Sequence, residues 1–325
     1  MNIVLTALIT MLSFTATANS ITIVHSYHAE YPWVEAYTKG LTDHFSTATD
    51  VTHYYLDTKR LPIETLPQRA NETWRAIQSQ TPNLIVLADD NAISSLSERL
   101  SNTKTPVVFL GLNANPREYG LHNFNNFTGV LERPLFKRNV LMFDGVLPQA
   151  HNSKILVMFD NSPTSRAAIR QISATSNTTR LGHIQVDFQQ ITTFAEWKSS
   201  IRQAKRSGYR AIFIGLYHTL RDSKEAFVPP SEIMSWTAAN AQLPHFGFWD
   251  FSVGQNANIG GYVLDGYLHG ELAAELINQI AAGRQPDQIH YVSDRKGRFL
   301  FSKSGLAKWN LTLSDNLVKK SNYTP

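Results

Sequence analysis

The order of apolar and amphipathic segments constrains the fold of this chain more than any other feature. Short apolar runs of the kind that form buried parallel strands alternate with segments whose apolar residues recur at helical spacing. The run ITIVHS at residues 21–26 is the first, and a helix is predicted after it from about Pro32 to Phe45. Such alternation builds parallel sheets that helices cover on both faces. The sequence therefore predicts an α/β protein.

The alternation occurs in two successive units. A length of 325 residues agrees with two domains, because domains usually contain about 100 to 200 residues each. The first unit continues with VTHYYLD, LPQRANETWRAIQSQ, NLIVLAD, AISSLSERL and PVVFLGL. After FTGVLERP, the second contains LFKRNVLMFDGVL, KILVMFD, SPTSRAAIRQISAT, IQVDFQQI, FAEWKSSIRQAKRSG, AIFIGLY, PSEIMSWTAANAQ and PHFGFWD. No low-complexity linker separates the units, so short connections must join them.

The amino-terminal segment is predicted to direct export. Its first twenty residues carry no charged side chain and contain the apolar run IVLTALITMLSF, followed by Ala16-Thr17-Ala18. The run is short for a membrane span, and small residues at these positions are what signal peptidase requires. We expect residues 1–18 to be a cleaved signal peptide and the mature protein to be periplasmic. A buried first strand is the alternative interpretation.

Composition excludes several classes of function. The chain has no cysteine, which agrees with export without disulfides and excludes thiol catalysis and cysteine metal sites. Lys and Arg number 30 against 26 Asp and Glu, a formal charge of +4. These charges are dispersed, without the basic stripe typical of nucleic-acid binding, so no nucleic-acid partner is expected.

Polar and aromatic side chains follow the predicted strands in both units. Ligands of parallel α/β sheets bind beyond the carboxyl ends of the strands, and flat rings at these positions can cover an apolar part of a ligand. If the strand ends of the two units face each other, their side chains line one cleft. The predicted ligand-binding residues are Ser26, Tyr27, His28, Asp89, Asn113, Asp160, Ser162, Ser165, Tyr217, Trp249 and Asp250.

Several of these side chains have structural alternatives. Asp89 and Asp90 directly follow a predicted strand, where an aspartate can cap the next helix. Asp160 and Ser162 belong to DNSPTS, a helix-start signal with proline at the first helical position. Such a helix N-terminus can equally hold a carboxylate or another anion.

The residues around the first predicted strand allow two further interpretations. His25 and His28 have the spacing of a weak metal pair, but no carboxylate-rich stretch lies near them, and we interpret His25 as a core residue. Packing of Tyr31 and Trp33 onto their own domain is the plainer interpretation, especially for Trp33. In this interpretation they support the side chains at the mouth of the cleft.

No catalytic motif is present. The sequence lacks G-x-S-x-G, H-E-x-x-H, G-x-x-x-x-G-K-[ST] and G-x-G-x-x-G, so we expect neither catalysis nor a cofactor. A purely structural exported protein is disfavoured by the polar residues at the strand ends. Binding of a small molecule is the function that the residues favour.

Five blocks of the sequence resemble a known family. They are VHSYHAEYPWVEAYTKGL, LIVLADDNA, PVVFLGLN, ILVMFDNSPTSR and GGYVLDGYLHGELAAELINQIAAGRQPDQI. In order and spacing they are similar to the ABC-transporter substrate-binding family of type I periplasmic binding proteins. The resemblance implies two Rossmann-like lobes with parallel sheets and a hinge of three crossovers. It assigns residues 19–131 plus 262–290 to the first lobe and 132–261 plus 291–325 to the second.

The same resemblance implies that a solute is trapped between the lobes. We expect a small polar ligand with an apolar part, such as an amino acid or related metabolite, and a monomeric protein that presents it to the membrane permease of an ABC importer. The alternative is a ligand-sensing protein that signals to a membrane sensor kinase or cyclase without transport. The hinge is expected near residues 129–132, 260–263 and 291.

Overall fold

The computed structural model describes residues 19–46, 49–144, 146–147, 153–173, 176–293 and 297–325. The predicted signal peptide, residues 1–18, lies outside this part of the chain. The strands are β1 (Asn19–His25), β2 (Thr49–Tyr55), β3 (Leu84–Ala88), β4 (Val107–Leu112), β5 (Phe127–Leu131), β6 (Lys154–Asp160), β7 (Thr178–Leu181), β8 (Ile184–Ile191), β9 (Ala211–Ile214), β10 (His245–Gly247), β11 (Gly260–Val263), β12 (Val292–Ser293), β13 (Arg298–Ser302) and β14 (Ser321–Thr324). The α-helices are α1 (Pro32–Asp43), α2 (Leu66–Gln80), α3 (Asp89–Ser101), α4 (Phe136–Asp144), α5 (Pro163–Ile172), α6 (Phe194–Gln203), α7 (Pro230–Asn240), α8 (Gly266–Ala281), α9 (Lys303–Lys308) and α10 (Asp315–Val318).

The first sheet is parallel throughout, in the order β12-β5-β4-β3-β1-β2. Strands β3 and β4 are buried along their whole length, because helices cover both faces. Alternate strand residues pack with α1 and α8 on one face and with α2 and α3 on the other. We call this sheet with its four helices the first lobe. Its architecture confirms the predicted α/β class.

The second lobe contains two sheets. The larger has the order β10-β9-β6-β8-β7, parallel except for β7, which runs antiparallel to β8. The smaller sheet has the order β11-β13-β14 and mixed pairing. The sequence did not predict β7, because this polar edge strand has no apolar run to mark it.

Two strands pair with a different lobe from the one to which the family resemblance assigns their residues. Strand β12 pairs with β5 in the first sheet, although residues from 291 on are assigned to the second lobe. Strand β11 pairs with β13, although its residues 262 and 263 are assigned to the first. Short crossovers therefore follow β5 and β11, and a third connects β12 to β13. The remaining lobe assignment stays a prediction.

Helix α8 returns to the first lobe and packs closely on α1. A Cβ atom at Gly270 would lie 2.0 Å from the carbonyl oxygen of Tyr37, and one at Gly40 would lie 2.0 Å from that of Tyr267. Only glycine permits this approach of two backbones. The contact holds the start of α1, with its aromatic residues, at the edge of the first sheet that faces the second lobe.

Candidate functional site

Aromatic side chains from both lobes meet where the strand ends face each other. The Tyr31 ring lies edge-on to His218, with centroids 4.9 Å apart, and 5.6 Å from the ring of Phe251. The Tyr27 hydroxyl lies 3.2 Å from Thr164 Oγ1, a hydrogen bond between the lobes. The predicted facing of the two sets of strand ends is therefore present. Tyr31 therefore packs against the second lobe as well as its own, unlike the plainer interpretation of the sequence. The Trp33 ring also lies near the second lobe, with its centroid 6.5 Å from that of Phe251.

The turn after β1 is held by Ser26. Its hydroxyl donates to the carbonyl of Ala88 at 2.7 Å and accepts from the N–H of Ala92 at 2.8 Å. Ser26 thus joins the end of β1 to the first turn of α3. This fully buried side chain has a structural task, and it orients Tyr27 towards the second lobe.

Lys59 is the residue of this site that sequence reasoning missed. It follows β2 in an ordinary polar turn, LDTKRLP, yet only 2% of it is exposed. Its ammonium lies 4.6 Å from the centroid of the Tyr27 ring and 5.8 Å from that of Tyr31. Burial lowers its pKa, although the carboxylates of Asp160 and Asp89 act in the opposite direction.

The second unusual side chain is Asp89, which is 1% exposed and has a backbone φ of +68°. Its Oδ1 accepts a hydrogen bond from Trp33 Nε1 at 3.2 Å. Its Oδ2 is buried and has no hydrogen-bond partner in the described part of the chain. Burial, followed by the charges of Glu132 and Asp90, raises the pKa of Asp89 well above its usual range. A Cβ atom at Gly111 would lie 2.6 Å from Asp89 Oδ1. Glycine at position 111 therefore leaves room for the carboxyl group of Asp89.

The capping alternative is wrong for Asp89 and Asp90. Helix α3 begins after Ala88, and no side chain at that N-cap position accepts a hydrogen bond. Asp90 instead accepts from the N–H groups of Asn113, at 3.2 Å, and Ala114, at 2.9 Å. It thereby fixes the loop that follows β4. Burial raises the pKa of Asp90 to about 6, against the effect of these hydrogen bonds.

Asp160 is fully hydrogen-bonded within the second lobe. Its Oδ1 accepts from the hydroxyls of Ser162 and Ser165, and its Oδ2 accepts from the N–H of Thr219 at 3.1 Å. Ser162 also caps α5 by accepting from the N–H of Ser165, as the helix-start interpretation predicts. Burial alone would raise the Asp160 pKa, but the Lys59 ammonium and the two hydroxyls lower it. This carboxylate therefore lies near a cation that it does not contact directly.

Glu132 connects the two lobes at the first crossover. Trp249 Nε1 donates to its Oε1 at 2.6 Å, and Asn113 Nδ2 donates to its Oε2 at 3.1 Å. Burial raises the pKa of Glu132 to about 7, although His269 and the Trp249 hydrogen bond favour the charged form. Trp249 is 1% exposed, so its indole belongs to the packed interior at the hinge rather than to an open surface.

Two cavities open between the lobes, on either side of Lys59. One of about 390 Å³ is bounded by residues 58–64 of the first lobe and by the start of α5, with Tyr27 in its wall. The other, of about 480 Å³, has His28 and Tyr31 on one side and Tyr217 and His218 on the other. Both are within the size range of small-molecule sites, about 300 to 1,000 Å³.

The structure separates the predicted site residues into groups. Tyr27, His28, Ser162 and Tyr217 line the two cavities. Asp250 is ion-paired with Arg298, at 3.2 Å, and is outside both cavity linings. His25 is fully buried, with Nδ1 2.6 Å from the Tyr37 hydroxyl, which confirms that it is a core residue. The side chains held mainly by internal hydrogen bonds are Ser26, Asn113, Asp160, Ser165 and Trp249.

Comparison with known proteins agrees with this architecture. A family model described as ABC transporter substrate binding protein matches residues 63–324. No curated protein sequence gives a significant match. Among the described residues, no helix combines the length and apolar character needed to cross a membrane.

Solved structures share the fold at low sequence identity. An ABC domain from Streptococcus pneumoniae in complex with L-Trp has 14% identity and a TM-score of 0.68, covering 95% of this chain and 100% of its own. A conserved domain protein from Vibrio cholerae has 16% identity and a TM-score of 0.70, covering 95% and 100%. The 5-methylthioribose transporter solute-binding protein of Thermotoga lettingae, in complex with 5-methylthioribose, has 14% identity and a TM-score of 0.55, covering 92% and 90%.

Proposed function

Because the chain belongs to the family of ABC transporter substrate-binding proteins, we propose that it captures an amino acid or a related metabolite in the periplasm and presents it to the permease of an ABC importer. The observation that carries this proposal is the inter-lobe interior around Lys59 and Asp89. In the described part of the chain, Asp89 Oδ2 has no hydrogen-bond partner, and Lys59 lies against the rings of Tyr27 and Tyr31. The Tyr31 ring also contacts His218 and Phe251 of the second lobe.

The chemistry of this interior matches a small amphiphilic solute. Asp89 Oδ2 is a buried acceptor that needs a donor, and a ligand amino group supplies one. Tyr27, Tyr31 and Phe251 offer ring faces and edges that can pack against an apolar side chain. Relatives of the same fold hold ligands of this size, L-Trp in one and 5-methylthioribose in another.

Export is part of the proposal. Strand β1 begins at Asn19, immediately after the predicted cleavage site. Cleavage after Ala18 therefore leaves every strand and helix of the described fold intact, and the mature protein reaches the compartment where importers of this type receive their solutes.

The experiment is a thermal-shift screen of the mature protein against the twenty L-amino acids, 5-methylthioribose and a set of neutral sugars, followed by calorimetry on each compound that raises Tm. Tyr31→Ala should lose at least tenfold in affinity, because the ring contacts both lobes. Tyr323→Ala, on the outer strand β14, is the matched control and should bind as the wild type does. The proposal fails if no compound stabilises the protein, or if both variants bind equally well.

A further inference from the structure

Lys59 differs from the two lysines that form ion pairs in the described part of the chain, because it is buried and contacts aromatic rings instead of a carboxylate. Lys154 pairs with Asp187 at 2.9 Å and Lys39 pairs with Asp43, both at partly exposed positions. Lys59 is almost completely buried. Within the described part of the chain, no acceptor is hydrogen-bonded to its ammonium and no carboxylate forms an ion pair with it. Its contacts are with the faces of Tyr27 and Tyr31.

A buried ammonium in this condition is unfavourable. It has three donors, none of which is hydrogen-bonded to a protein acceptor in the described part of the chain, and its side chain lines both cavities. Cation–π contact offsets part of this cost, but aromatic rings do not replace an oxygen acceptor. The fold maintains Lys59 in an environment that favours any oxygen anion able to enter.

The cavity beside Lys59 provides a second feature that favours an anion. Ser162, Pro163 and Thr164, at the start of the ten-residue helix α5, line the same 390 Å³ space as Lys59. The first turn of a helix carries a partial positive charge. In α5 the Thr164 N–H can also face a ligand, since Pro163 has no N–H and the Ser165 N–H already donates to Ser162 Oγ. Arg221 also lines this cavity. The two acidic residues in the wall of the cavity, Glu64 and Glu225, are exposed to solvent. Lys59 from one lobe and α5 from the other therefore face the same space.

We infer that Lys59 is a specificity-determining residue that binds a carboxylate or phosphate group of the ligand against the start of α5, so that the ligand is an organic anion or a zwitterion. This inference rests on the proposed function and narrows its ligand class. An anion held between the two lobes contacts both of them only when they are together. Its charge then contributes to closure as well as to recognition.

The test compares matched probes on matched variants. The probes are three matched pairs: L-phenylalanine with its primary amide, L-leucine with its primary amide, and ribose 5-phosphate with ribose. The variants are Lys59→Met, which keeps the length of the side chain without its charge, and Lys39→Met, an exposed control on α1. Affinities are measured by calorimetry, and the Tm of each unliganded protein is recorded.

We expect every probe that binds the wild type to carry a carboxylate or phosphate that its non-binding partner lacks. Lys59→Met should weaken that binding at least 100-fold, because it removes the cation that binds the anionic group. Lys39→Met should bind as the wild type does. A residue that served only the packing of the fold would lower Tm when replaced but would leave the preference for the anionic member of each pair unchanged.

Two results overturn the inference while leaving the proposed function intact: binding of an amide or of ribose as tightly as its anionic partner, or equal affinities for wild type and Lys59→Met. Failure of all probes to bind overturns both. If Lys59→Met does not fold, Lys59→Gln replaces it, and the comparison of acids with amides on the wild type requires no variant.

Discussion

Replacement of Glu132 by glutamine should change how the stability of this protein depends on pH. Glu132 is 3% exposed and lies at the first crossover, where Trp249 and Asn113 donate to its two oxygens. Burial raises its pKa from the ordinary 4.5 to about 7. The folded protein therefore holds a proton on this carboxyl group at pH values at which the unfolded chain has lost it.

The magnitude follows from the two pKa values. Because the folded pKa is the higher, the contribution to stability is fully present below pH 4.5 and is lost as the pH rises through about 7. Between pH 5 and pH 8 the change is about 2 to 3 kcal/mol, because one pKa unit corresponds to about 1.4 kcal/mol. Glutamine cannot titrate, so Glu132→Gln removes this pH dependence. Any loss of a hydrogen bond to Asn113 adds a cost that does not vary with pH.

Urea unfolding of the wild type and of Glu132→Gln at both pH values measures this effect. The free energy of unfolding of the wild type minus that of the variant should be about 2 to 3 kcal/mol more positive at pH 5 than at pH 8. Glu98→Gln, an exposed glutamate of α3, is the control, and its difference should be the same at both. An equal difference at both pH values for Glu132→Gln would refute the reasoning.

Three further predictions concern packing, closure and export. Trp249→Ala should lower the free energy of unfolding by about 3 to 5 kcal/mol, and not only weaken ligand binding. Trp249→Phe loses mainly the hydrogen-bond donor to Glu132 and should lower it by about 1 to 3 kcal/mol. Urea unfolding measures both, and equal decreases for the two variants would contradict this prediction. A double-mutant cycle of Tyr27→Phe with Thr164→Val should give a coupling energy of about 0.5 to 1.5 kcal/mol for the inter-lobe hydrogen bond, and strict additivity would mean that the lobes do not close through it. Mass spectrometry of the exported protein should show Asn19 as its first residue, and a full-length chain in the membrane fraction would count against cleavage.

Much of the secondary structure could be predicted because its signals are local. The predicted bounds of α2, β6 and β8 coincide with the observed ones, since each has a clear periodicity and a clear end. Helix α8 starts at Gly266, where Asp265 accepts from the N–H groups of Tyr267 and Leu268. The family resemblance assigned this helix to the first lobe, where it packs on α1.

The candidate site was only partly predictable. Position after a strand correctly placed Tyr27, His28 and Tyr217 at the junction of the lobes, because parallel strands end at one edge of a sheet. The same rule also selected Asp250, whose partner is Arg298, since position cannot reveal a partner 48 residues away. Asp89 and Asp90 are neighbours with different tasks, and only the loop after β4 distinguishes them.

The sequence by itself determined most strands and helices of the two larger sheets and the edge at which a ligand can be held, because these depend on periodicity and chain order. It did not predict the antiparallel edge strand β7. Only the tertiary structure decided that Lys59 is buried without an acceptor and that Glu132 connects the lobes. The exposure and the partners of a charged side chain depend on what distant segments place around it. In this protein, those segments come from both lobes.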